Sequence, residues 1–259
     1  YTYLDCYIDN GLGQKSKSHY SLRRQTLLKS LSALTILVGP STPAGHDTIW
    51  YMSRNKIHQD PLMLFLTGIN QTQSALWLNP STKMTSEVIY LPKKNSKLEF
   101  WEGFQLGVGD KKSQNQITDI TGFQYSENRD TLKSDILSTL EAMENPEINL
   151  FWHEHPKTKK IKLDFHGQFK KELQTYLTRH LQKKVKFNNI ATITYDQRTQ
   201  LDDIDIKNIK EANTKTAKAF KAFLKQLPSC NHENEAAAIL DSELAKQSWY
   251  QNSFPSIVA

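Results

Sequence analysis

The sequence contains few cysteines and no long apolar run, and each absence excludes a class of protein. Its 259 residues include two cysteines, Cys6 and Cys230, which are too few for the disulfide framework of a small secreted domain. Apolar runs such as those at residues 34–38 and 62–66 are strand-sized, whereas a membrane-spanning helix needs about 20 apolar residues. We therefore expect a soluble, intracellular protein in a reducing compartment.

The positive charge of the chain raises the question of a nucleic-acid partner, since the net charge is +6 and the pI is near 9.1. The lysines are scattered, and they are not grouped with aromatic residues into a surface on which bases could stack. Their densest groups are Lys157, Lys159, Lys160 and Lys162, after a predicted turn, and Lys183, Lys184 and Lys186, at the end of a predicted helix. A solvated face is favoured over a nucleic-acid site, and we expect neither a nucleic-acid nor a membrane partner.

The spacing of apolar residues predicts a helix and then a hairpin or meander of strands in the first part of the chain, and helices that alternate with strands after Gly122. In chain order we predict a helix at 18–31, strands at 34–38, 62–67, 74–78 and 87–91, a helix at 129–143, a strand at 148–152, a helix at 165–181 and a strand at 185–187. This order is typical of helices packed on a sheet. Residues 18–200 are therefore predicted to form one α/β domain.

Two amphipathic helices are predicted after an acidic connector at residues 201–206. The apolar face of the first helix extends from Ile206 to Leu227, and Pro228 ends it. Asn231 is predicted to cap the second helix.

Three groups of titratable residues were considered as sites of chemistry. His153, His155 and His166 are metal-ligand types in one segment, but zinc needs about four supported ligands, so exposed loop histidines are favoured. His58 could act as a general base, although a structural hydrogen bond is favoured. Asp202, Asp203 and Asp205 are interpreted as a hydrated connector, because an acid–base pair needs burial that separates two pKa values.

Short motifs along the chain resemble one family. They are Arg23-Arg24, His58-Gln59-Asp60, Phe65-Leu66-Thr67-Gly68-Ile69, Ala75-Leu76-Trp77-Leu78, Glu99-Phe100-Trp101-Glu102-Gly103 and Pro255-Ser256-Ile257-Val258-Ala259. Together they resemble the amino-terminal region of Xaa-Pro aminopeptidases, in the creatinase/aminopeptidase P superfamily. Tyr51-Met52-Ser53 and His58-Gln59-Asp60 look most like the mitochondrial, intermediate-cleaving type. A mitochondrial location is therefore expected, with a cytoplasmic location as the alternative.

The resemblance implies a fold and a domain order. The fold would be a creatinase-type amino-terminal domain, a mixed sheet with helices on its faces, followed by the first helices of a truncated pita-bread metallopeptidase domain. The corresponding segments would be an extension at 1–17, the amino-terminal domain at 18–200, the connector at 201–206 and the start of the catalytic domain at 207–259.

The resemblance also implies a function. In the family an Asp, Asp, His, Glu and Glu set holds two divalent metals, commonly manganese, and we expect these ligands to follow Ala259. This chain would then be the non-catalytic portion of a metal-dependent Xaa-Pro aminopeptidase, with no catalytic residue, metal ligand or cofactor of its own. It would shape access of the peptide substrate to the missing catalytic domain and support homo-oligomerisation, in an enzyme that removes residues preceding proline. The alternative is a stand-alone interaction module that has lost the peptidase domain.

One residue of the chain is expected to contact substrate. The family uses the aromatic residue at the place of Trp101 to line the substrate pocket of a neighbouring subunit. The resemblance therefore implies that Trp101 binds substrate, and the alternative is an ordinary packed aromatic beside Phe100 and Phe104.

Overall fold

The computed structural model describes residues 15–41, 59–82, 85–102 and 105–247, without the side chains of residues 15–16, 98 and 101–102. The predictions that concern His58 and Tyr51-Met52-Ser53 fall outside the described residues. The chain divides into two compact units, Tyr1–Arg198 and Thr199–Ala259, and each is considered by itself.

Helices and strands alternate in the first unit. Its described elements are α1 (Lys15–Lys29), β1 (Leu34–Val38), α2 (Pro61–Thr67), β2 (Ala75–Leu78), β3 (Glu87–Leu91), α3 (Ser96–Glu102), α4 (Lys111–Thr121), β4 (Ser126–Asn128), α5 (Leu132–Glu141), β5 (Glu147–Leu150), α6 (Phe165–His180), β6 (Lys186–Asn189) and α7 (Ala191–Thr199). None of the described helices is long and apolar enough to cross a membrane.

The six strands form one mixed sheet in the order β4-β3-β2-β1-β5-β6. β1 pairs antiparallel with β2, and β2 pairs antiparallel with β3. The pairs β1–β5, β5–β6 and β3–β4 are parallel. Parallel neighbours need a crossover between them, which α3 and α4 provide between β3 and β4, and α6 provides between β5 and β6. The predicted mixed sheet with flanking helices is confirmed.

Apolar side chains cover both faces of this sheet. Successive residues of a strand point to opposite faces, so Ile36 belongs to one core and Leu37 to the other. On the first face the sheet packs against α5 and α6, through residues such as Ile136 and Leu173. On the second face it packs against α1, α2 and α4, and Met63 of α2 is completely buried there. Burial on both faces explains why the strands read as nearly continuous apolar runs.

The prediction of a strand at 62–67 is wrong, because these residues form helix α2. The Asp60 carboxylate accepts hydrogen bonds from the backbone N–H groups of Leu62 and Met63, at 3.0 and 2.9 Å. Pro61 occupies the first turn, and Gly68 ends the helix with a left-handed φ of 68°. An apolar run of this length fits either a strand or a buried helix, and here the two caps select the helix.

Two helices make up the described part of the second unit, α8 (Asp203–Gln226) and α9 (Glu233–Gln247). They pack through Phe223, Ala236 and Leu240. α8 begins within the segment that was interpreted as a connector, because Asp202 and Asp205 form a capping box at its first turn. Asn231 lies two residues before α9, and its backbone N–H donates to Glu235, so its predicted capping role is wrong.

Candidate functional site

The segment between β3 and Leu106 leaves the sheet and contains the predicted substrate-binding residue. Helix α3 lies in this segment, and Trp101 is part of the helix. The Trp101 side chain and residues 103–104 lie outside the described part of the chain. The role of Trp101 in substrate binding therefore stays a prediction. The described residues around it show how the segment is held.

The two ends of the segment are joined by backbone contacts. The Lys94 N–H donates to the Val108 carbonyl at 2.9 Å, and the Val108 N–H donates to the Pro92 carbonyl at 3.0 Å. Gly107 lies against the Lys94 backbone, so closely that an added Cβ would be 2.8 Å from the Lys94 Cα and N atoms. Glycine allows this close backbone approach. We call residues 92–108 the α3 loop.

Polar contacts also fix α3 within the α3 loop. The Glu99 carboxylate accepts a hydrogen bond from the Gln105 N–H at 3.2 Å and lies 3.3 Å from the Lys94 ammonium. The Glu99 N–H donates to the Asn95 carbonyl at 3.0 Å. Phe100, beside Trp101, is 78% exposed.

The predicted histidine segment forms two Asp–His pairs. His153 Nδ1 lies 2.7 Å from Asp164 Oδ2, and His166 Nε2 lies 3.1 Å from Asp60 Oδ2. His155 is exposed, as expected for a loop histidine. The same interpretation is wrong for His166, which lies in α6 and is 2% exposed. Its burial comes from the apolar side of α6, which also buries Phe169 and Leu173.

Asp164 has a second role at the start of α6. Its Oδ1 accepts a hydrogen bond from the Gly167 N–H at 3.0 Å, as the N-cap of the helix. Burial alone would raise the pKa of Asp164, but the hydrogen bonds from Gly167 and His153 outweigh it and hold the pKa below its usual value. The Phe151 ring lies against both histidines, with centroid distances of 4.9 Å to His153 and 4.7 Å to His166. These contacts make the cluster a structural junction between the end of β5 and the start of α6.

The described residues do not offer a metal site. No group of three or more His, Cys, Asp or Glu side chains among them is arranged to hold a metal ion. In each Asp–His pair the carboxylate also accepts backbone hydrogen bonds at a helix N-terminus. Both aspartates therefore act as helix caps. No step that depends on a metal is therefore assigned to these residues.

The structure gives Arg23 and Arg24 a role that the sequence did not reveal. Arg23 donates to the Phe65 carbonyl at 3.1 Å, and Arg24 donates to the Leu66 carbonyl at 2.9 Å, both in the last turn of α2. Positive charge is favourable at the C-terminal end of a helix. The Arg24 side chain is 1% exposed and pairs with Glu87 of β3 at 2.7 Å. In the sequence this role is indicated only by two adjacent arginines within a predicted helix. That pattern does not predict which residues the arginines contact.

Comparison with known proteins places these features in a family. Residues 20–144 match the family model described as "Aminopeptidase P, N-terminal domain". Residues 20–144 are thus similar to the N-terminal domain of aminopeptidase P. The whole α3 loop, including Trp101, lies within the matched residues. The comparison with curated proteins finds no significant match.

Solved aminopeptidase P structures share the fold of this chain. The aminopeptidase PepP of Pseudomonas aeruginosa is 18% identical, with a TM-score of 0.67, over 89% of this chain and 49% of that one. A putative aminopeptidase P of Bacillus anthracis is 19% identical, with a TM-score of 0.68, over 92% and 53%. A zinc-substituted E. coli aminopeptidase P in complex with product is 14% identical, with a TM-score of 0.64, over 89% and 49%. The chain thus spans about half the length of these proteins.

Proposed function

We propose that this chain is the non-catalytic, amino-terminal portion of a metal-dependent Xaa-Pro aminopeptidase, in which it shapes substrate access and supports homo-oligomerisation. The match of residues 20–144 to the aminopeptidase P N-terminal domain carries this proposal. Structural similarity over 89% of the chain but 49% of PepP supports it, since the other half of such a protein would contain the active site. The whole enzyme would remove amino-terminal residues, especially before proline.

Within this proposal the α3 loop contributes Trp101 to the substrate pocket of a neighbouring subunit. An indole supplies a large apolar surface and has few rotors to order, so it can contact a proline ring or an apolar side chain at low entropic cost. The closed ends of the loop and the exposed Phe100 beside Trp101 support a role in contact with another molecule.

The metals of the enzyme would be held outside this chain. We propose two divalent metals, with manganese as the expected ion, bound by residues of the catalytic domain, where they would activate water for attack on the peptide carbonyl. The mitochondrial, intermediate-cleaving type is the proposed branch, on the motifs Tyr51-Met52-Ser53 and His58-Gln59-Asp60, with a cytoplasmic enzyme as the alternative.

The coding sequence downstream of Ala259 provides the first test. If it continues into the Asp, Asp, His, Glu and Glu ligand set, the longer protein should release the first residue of an Xaa-Pro peptide when manganese is supplied. The 259-residue chain should release none and should bind no stoichiometric metal. Two results would contradict the proposal. The first is manganese-dependent hydrolysis by the 259-residue chain itself, and the second is a coding sequence that ends without the metal-ligand set. The second outcome would favour the stand-alone interaction module.

The test of Trp101 uses the longer enzyme. Trp101→Ala should weaken turnover of Xaa-Pro peptides and leave the metal content unchanged. Wild-type kinetics on several peptide lengths, together with a lower melting temperature, would show that Trp101 is only a packed core residue. If the variant is monomeric, Trp101 acts in subunit assembly, and the proposal that it lines the substrate pocket is wrong.

A further inference from the structure

We propose that Gln71 is a positioning residue, whose buried side-chain amide fixes the return of the α3 loop to the core at Leu106 and thereby holds helix α3 in place. This inference rests on the proposed function, because the contact of Trp101 with substrate is part of that proposed function. Gln71 precedes β2 and lies 35 residues from its partner in the loop.

The Gln71 amide pairs with the backbone of Leu106 in the manner of a strand. Its Nε2 donates to the Leu106 carbonyl at 2.8 Å, and its Oε1 accepts from the Leu106 N–H at 2.8 Å. Leu106 is the point at which the α3 loop returns to the core, and its side chain is 1% exposed. The amide thus satisfies both polar backbone groups of a buried residue.

Gln71 is itself fixed by a second buried amide. The Gln59 Nε2 donates to the carbonyls of Gln71, at 2.6 Å, and of Ile69, at 3.0 Å. It also lies 3.1 Å from the Ser74 hydroxyl. Gln59 and Gln71 are 7% and 8% exposed. A buried polar network with all its members bonded fixes one arrangement of the chain.

This network is the buried anchor of the loop, beside the backbone hydrogen bonds that join Lys94 and Val108, and the side-chain contacts of α3 itself are weaker. On the solvent side α3 is fixed by Glu99 and by Lys94, whose side chain is 29% exposed, and partly exposed ion pairs contribute little. If Gln71 were apolar, the Leu106 N–H and carbonyl would be buried without partners, which favours opening of the loop. A displacement of about 1 Å is enough to reduce the efficiency of a binding or catalytic contact.

The experiment compares Gln71→Leu with the matched control Asn149→Leu. Asn149 is also a buried amide, 4% exposed, and its Nδ2 donates to the Ala33 carbonyl and the Thr35 hydroxyl in the sheet. Both variants should lose stability. Amide hydrogen exchange at residues 95–102, measured in the 259-residue chain, should accelerate by roughly tenfold in Gln71→Leu and remain near wild type in Asn149→Leu.

Kinetics of the longer enzyme provide the second readout. Gln71→Leu should weaken turnover of an Xaa-Pro peptide by roughly tenfold with unchanged metal content, as we expect of Trp101→Ala, whereas Asn149→Leu should not. If Trp101→Ala weakens turnover and Gln71→Leu does not, the positioning role is wrong and the proposed function stands. If Trp101→Ala leaves kinetics unchanged, the role of Trp101 in the proposed function is wrong. Equal exchange at residues 95–102 in the two leucine variants would overturn the anchor itself.

Discussion

His166 Nε2 lies 3.1 Å from Asp60 Oδ2, although 106 residues separate the two in sequence. The pair joins the start of α6 to the start of α2, whose Met63 is buried in the core on the second face of the sheet. The other Asp60 oxygen already accepts the Leu62 and Met63 N–H groups. One carboxylate therefore caps a helix and bonds a second helix at the same time.

Loss of the imidazole should leave the Asp60 Oδ2 buried without this partner. We expect His166→Leu to reduce the free energy of unfolding by about 1–3 kcal/mol, the usual cost of an unsatisfied buried polar group. Urea denaturation of the variant and the wild type measures this difference. His155→Leu is the control, because His155 is exposed, and it should change stability by less than about 0.5 kcal/mol. Equal effects of the two substitutions would contradict a structural role for the pair.

Asp164 should make stability depend on pH in the acid range. Its folded-state pKa is held below the ordinary value of 3.8 by the Gly167 and His153 hydrogen bonds. A depressed pKa means that the stabilisation is fully present above the unfolded-state value and is lost as the pH falls through the folded-state value. We expect Asp164→Asn to remove this component, so that its urea midpoint falls less than that of the wild type as the pH is lowered below about 4.

The control for this pH dependence is Asp119→Asn, since Asp119 is an exposed carboxylate on α4. Its urea midpoint should follow the wild-type profile throughout. A parallel displacement of the Asp164→Asn profile at every pH would mean that the substitution removes packing and does not remove an ionisation-linked contribution.

The buried pair of Arg24 and Glu87 should show strong coupling. Burial lowers the pKa of Arg24, and the Glu87 carboxylate opposes this effect. Arg24→Met should reduce the free energy of unfolding by about 3–5 kcal/mol, because it leaves a largely buried carboxylate unpaired. Arg24→Met with Glu87→Leu should recover at least half of the loss. A double-mutant cycle with no coupling energy would show that the arginine acts only through Leu66 and Phe123, which its guanidinium also contacts.

The sequence predicted five of the six described strands, all but β4, because these elements depend on local spacing. The predicted helix at 165–181 and strand at 74–78 agree closely with α6 and β2. Helices α3, α4 and α7 were not predicted. For α4 the signals were present in Asp110 and Gly122, which form its N-cap and C-cap. Apolar periodicity alone was too weak in this polar helix to reveal it.

The functional contacts were harder to predict, because they join residues that are distant in sequence. Gln71 and Leu106 are 35 residues apart, and neither belongs to a motif that names the other. Trp101 was found only through resemblance. The sequence favoured exposed loop histidines for His153 and His166, whereas the fold pairs each of them with its own aspartate.

Gly107 should be essential for closure of the α3 loop, whereas Gly109 should not. A Cβ at position 107 would be 2.8 Å from the Lys94 backbone, and backbone atoms cannot move aside as the end of a flexible side chain can. We expect Gly107→Ala to cost about 1–3 kcal/mol of unfolding free energy, as overpacking does, and to accelerate amide exchange at residues 95–102. At position 109 the nearest atom to an added Cβ is the Ser113 hydroxyl at 3.7 Å, an ordinary contact. Gly109→Ala is therefore the matched control, with a change below about 0.5 kcal/mol. If both alanine variants exchange like the wild type, the backbone contact at Lys94 does not close the loop, and the Gln71 amide is left as its anchor.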